Sequence, residues 1–120
     1  MKNSEIYILV FLNHTCADRY GGWRVTTIFN HFPSVKEILD HSCLESSNPN
    51  DVALAKKLVE TKGAPCRLVY PINSSDFFEC MIIKKSFGDN LNLSQYLLTG
   101  YADMDESRQI QYKSYENQNC

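Results

Sequence analysis

The chain has 120 residues, 43% of them hydrophobic, and its 12 basic against 14 acidic side chains leave a formal charge of -2. That length suits a single domain with a core of its own, without metal or disulfide staples, and so even a charge balance lacks the basic footprint that holds a phosphate backbone. No apolar run approaches the roughly 20 residues a membrane helix needs, so a cytosolic chain without membrane contact is expected.

The first element is the apolar run Ile6 to Leu12. Glu5 precedes it and no small-residue cleavage site follows, so it reads as a strand and not a signal sequence. Being apolar at every position, it belongs in the interior of a sheet. A polar loop, His14 to Gly22, leads into Trp23 to Phe29, an antiparallel partner whose alternation sets Trp23, Val25, Thr27 and Phe29 on one side. The loop is longer than a tight turn requires, and loops of excess length are where function concentrates.

Ser34-Val35-Lys36-Glu37 fits the capping box, in which the Ser hydroxyl and the Glu carboxylate each satisfy a backbone N–H at a helix start. The helix that follows offers Val35, Ile38, Leu39 and Cys43 as its buried stripe. Pro49 just inside a start and Gly63 just past an end bracket a second helix, with Val52, Ala55, Leu58 and Val59 facing inward. Cys66 to Tyr70 and Phe77 to Lys85 form a second hairpin around the turn residues Asn73-Ser74-Ser75-Asp76. Leu91 to Thr99 is a short third helix presenting Leu93, Tyr96 and Leu97, and Ile110, Tyr112 and Tyr115 suggest a late edge strand.

The order ββααββα predicts an α+β fold: a mainly antiparallel four- or five-stranded sheet with two to three helices packed on one face. We expect one domain over residues 1–115 and a frayed tail over 116–120. Charge divides unevenly, with 10 basic and 9 acidic residues in 1–85 against 2 and 5 in 86–120. The acidic patch Asp103, Asp105 and Glu106 is read as a solvated loop.

Five cysteines, Cys16, Cys43, Cys66, Cys80 and Cys120, are odd in number and lack a CxxC pair, so reduced thiols are expected. The pattern H-[ST]-C-x-[DE] occurs twice, at His14, Cys16 and Asp18 and again at His41, Cys43 and Glu45. Helical placement would turn His41 and Cys43 apart, and one intervening residue is too few for a zinc pair. Neither a metal nor a cofactor is expected. For nucleophilic catalysis the candidates are Cys16, His14 and Asp18, with Arg19 able to favour a thiolate, but no glycine-rich or helix-start context supplies an oxyanion hole.

Arg19, Tyr20, Trp23 and Arg24 border Gly21-Gly22 and have the composition enriched at protein interfaces. They are the expected binding residues, and a protein is the expected partner. No phosphate-loop, dinucleotide, zincin or hydrolase motif occurs. The expectation is a small non-enzymatic interaction protein, of the kind phages and mobile elements use to inhibit host defence factors. A cysteine-dependent enzyme or small-ligand sensor built on Cys16 and His14 is the alternative. A single-strand nucleic-acid binder using exposed aromatics with Lys84, Lys85 and Arg67 is the third reading.

Overall fold

The computed structural model describes residues 5–14, 24–69, 77–90, 92 and 105–113. These residues form an α+β fold with the elements β1 (Glu5–His14), β2 (Arg24–Phe29), α1 (Val35–Asp40), α2 (Pro49–Glu60), β3 (Cys66–Val69), β4 (Phe77–Ser86) and β5 (Gln109–Gln111). The five strands make one sheet in the order β2-β1-β4-β3-β5. β1 is thus interior, as its unbroken apolar sequence requires. The β1–β2, β1–β4 and β3–β4 pairs are antiparallel, whereas β5 lies parallel to β3, so the sheet is mixed. The expected late strand is present at Gln109–Gln111, and the backbone N–H of Tyr112 extends its ladder to the Val69 carbonyl at 2.9 Å. The third helix expected over 91–99 falls largely outside the described residues. Among those residues no helix is long and apolar enough to cross a membrane.

Both helices pack on one face of the sheet. Leu9 and Phe11 of β1, Phe29 of β2, Cys66 and Leu68 of β3, and Cys80 and Ile82 of β4 meet Ile38, Leu44, Leu54, Ala55 and Leu58 in one buried cluster. The capping box forms as the sequence requires: the Glu37 N–H donates to Ser34 Oγ at 3.1 Å and the Ser34 N–H to Glu37 Oε1 at 3.0 Å. α1 is shorter than its stripe suggests, however, and ends at Asp40, so Cys43 is exposed and Leu44 takes the core position. In α2 the inward stripe is Leu54, Ala55 and Leu58, with Val52 and Val59 only half-buried. A Schellman motif closes α2: the Gly63 N–H reaches the Leu58 carbonyl at 2.9 Å and the Lys62 N–H the Val59 carbonyl at 3.0 Å. Gly63 has φ +90, and a Cβ there would stand 2.9 Å from the Ile82 carbonyl oxygen, so the close approach to β4 requires glycine.

The opposite face of the sheet carries a second apolar cluster, Ile8, Val10, Met81 and Ile83. On the same face the cross-strand pair Arg67 and Glu79 is buried, at 2% and 0% exposure. Arg67 donates from Nε and Nη2 to Glu79 Oε1 at 3.0 and 2.8 Å, and its guanidinium lies 4.1 Å from the centre of the Phe77 ring. Such a pair is worth less as net stability than its distances suggest, but losing one partner strands a buried charge.

Candidate functional site

Among the described residues β2 is the last strand on its side of the sheet, and its register decides what it shows to solvent. Phe29, Ile28 and Thr27 stand opposite Tyr7, Ile8 and Leu9, but Val25 then stands opposite Val10 and Arg24 opposite Phe11. Thr26 is the extra residue of a β-bulge. Three positions apart, Val25 and Ile28 would face opposite ways in a regular strand. The bulge instead sets both on the face of the second cluster, where they are 43% and 56% exposed. The expected set Trp23, Val25, Thr27 and Phe29 is therefore split: Thr27 and Phe29 face the helices and Val25 does not. Thr27 Oγ1 also donates to the His41 carbonyl, tying the end of α1 to this strand.

A pocket of about 370 Å³ opens beside the bulge, lined by Phe11, Asn13, Arg24, Val25, Thr26, Cys43 and Phe78. Phe11 and Phe78 form its aromatic wall, with ring centres 4.8 Å apart and planes tilted by 58°. β1 and β4 hold them in place, since Phe11 stands opposite Cys80 and Phe78 opposite Asn13. Cys43 contributes from the segment after α1. Although the residue is exposed, partial withdrawal of its thiol from water raises its pKa, with the Asp51 carboxylate adding to the effect. The thiol is therefore neutral near pH 7. Cys66 is likewise raised chiefly by burial, and Cys80 well above its ordinary value by burial and then by its neighbour Cys66. All three described cysteines are free thiols in surroundings that disfavour the reactive thiolate.

Of the four expected binding residues, Arg24 begins β2 and lines the pocket, while Arg19, Tyr20 and Trp23 lie outside the described residues. Cys16 and Asp18 lie outside them too, and His14 is described as the final residue of β1. Among the described residues no group of three His, Cys, Asp or Glu side chains could hold a metal ion. His41, Cys43 and Glu45 follow α1 and are not part of a helix, so the helical argument against their acting together does not apply to them. Arg67 is misplaced as a nucleic-acid contact, because it is buried against Glu79 and Phe77; Lys84 is bound to Glu5 at 3.0 Å.

The sequence reading missed the exposure of Val25 and Ile28, which depends on the bulge, and the pocket, which depends on α1 ending early. It also missed the Arg67–Glu79 pair, although one charge inside each of two successive apolar strands was a usable signal. No family model, curated protein or solved structure matches this chain.

Proposed function

We propose that the protein is a small non-enzymatic interaction protein that receives a strand of a partner protein on the outer edge of β2. The observation that carries this reading is the pair Val25 and Ile28, exposed together on the terminal strand of the sheet. An added strand gains main-chain hydrogen bonds along such an edge, and apolar side chains beside the edge select which strand is accepted. The third large exposed apolar residue among those described, Phe87, sits in the turn after β4 and is not part of this surface.

Affinity capture from native lysate with mass spectrometry, run side by side on the wild type and Ile28→Lys, tests the reading. A protein retained by the wild type and lost by the variant, at an unchanged thermal midpoint, is the expected result. Equal retention by both removes β2 from the interaction. A narrower form of the proposal, an inhibitor of a host defence factor carried by a phage or mobile element, is supported by small size, balanced charge and the lack of catalytic motifs in the sequence. It requires that expression in a defended bacterial strain raises the plating efficiency of a challenging phage and that Ile28→Lys abolishes the rise.

A further inference from the structure

We infer that the segment received by β2 is the C-terminal end of a partner chain, with its carboxylate held by Arg24 and its last, apolar side chain seated against Phe11 and Phe78. This rests on the β2 reading above and adds the chemistry of the accepted segment. Chain direction is the first argument. β2 runs from Arg24 to Phe29, so a strand added antiparallel to it runs toward Arg24 and ends beside the pocket. The bulge at Thr26 breaks the β1–β2 ladder at that same level, and the bend it gives β2 is where we place the end of an added strand.

Charge is the second argument. Among the described residues the pocket walls hold one cation, Arg24, and one amide, Asn13, and no carboxylate. Among the described residues Arg24 has no ion-pair partner. A guanidinium at an apolar mouth presents two parallel N–H donors to a carboxylate, a geometry that an amide or alcohol cannot match. The neutral Cys43 thiol adds a polarizable contact and no competing negative charge. At about 370 Å³ the pocket is near the small end of ligand sites, with room for one aromatic or branched side chain and its terminal carboxylate.

Fluorescence anisotropy with dye-labelled hexapeptide pools tests this, the first five positions randomised and the last fixed as Phe, Leu or Val, each pool made as free acid and as C-terminal amide. The acids are expected to bind about tenfold more tightly than the amides, the scale of one partly exposed charge-assisted bond. Arg24→Gln should erase that difference, and Ile28→Lys should weaken acid and amide alike. Equal binding of acid and amide, or an acid preference that survives Arg24→Gln, overturns the carboxylate assignment and leaves strand addition standing. Peptide binding untouched by Ile28→Lys removes strand addition itself. Failure of every acid pool to bind also overturns the inference, and phenylacetate binding in that case reassigns the pocket to small acids.

Discussion

At one edge of the sheet β5 runs for only three residues, with glutamines at both ends, whereas at the other β2 runs for six and exposes Val25 and Ile28. The β5 edge is also tied down. Asn50 on α2 accepts from the Lys113 N–H at 2.9 Å and donates to the Lys113 carbonyl at 2.8 Å, fixing the chain two residues past β5. Arg108, just before β5, donates to the Pro65 carbonyl at 3.1 Å. Proteins ordinarily blunt their sheet edges by shortening, charging or covering them. Among the described residues the short edge is anchored on both sides and the long one keeps apolar side chains outward, the contrast on which the β2 proposal rests.

The largest test of this contrast lies in the capped half. Glu79→Gln removes the carboxylate that buried Arg67 contacts at 2.8 Å and should cost about 3–5 kcal/mol in urea unfolding. Replacing both partners, Arg67→Met with Glu79→Leu, should recover most of that loss; a double variant as unstable as the single would mean that the stranded charge is not the cause. Asn50→Ala is next. It leaves two part-buried backbone groups of Lys113 unpaired at about 1 kcal/mol each, and hydrogen exchange should speed up in β5 and not in β2. If β5 protection holds, the strand is held in place by something other than Asn50.

Ser34→Ala loses one half of the capping box and should cost about 1 kcal/mol, with binding through β2 unchanged. The other half is sensitive to acid. Glu37 titrates below its ordinary 4.5, first because it accepts from the Ser34 N–H and then because of His31. A depressed carboxyl stabilises the fold above that ordinary value and loses its contribution as pH falls through the folded value. Glu37→Gln should therefore show a shallower acid loss below pH 4.5 than the wild type. Ile28→Lys is expected to have the smallest effect on stability, within about 0.5 kcal/mol as for other exposed sites, despite abolishing partner capture. A large drop in its thermal midpoint would place Ile28 in the core and close the β2 edge to this reading.

Local rules carried much of the fold. The interior strand, the capping box, Pro49 at a helix start and two hairpins each follow from residues within a turn or two of one another. Non-local geometry was not legible. The parallel pairing of β5 with β3 depends on a return path and not on periodicity, and α1 stops at Asp40 although its apolar spacing runs on to Cys43. In the site, Arg24 was found by composition, whereas Val25 and Ile28 were hidden because a bulge has no fixed signature and alternation assumes a regular strand.

Thr26 has a further consequence. It is a residue held out of the pleat: without it Val25 would still stand opposite Val10 and Arg24 opposite Phe11, with no irregularity between them. Deleting Thr26 would change no outward side chain, yet it would remove the local bend and leave a regular edge, one of the devices by which sheets discourage pairing between copies being lost. On the β2 proposal, the loss would show as self-association of the shortened chain, so the strand is more exposed to a deletion than to most substitutions.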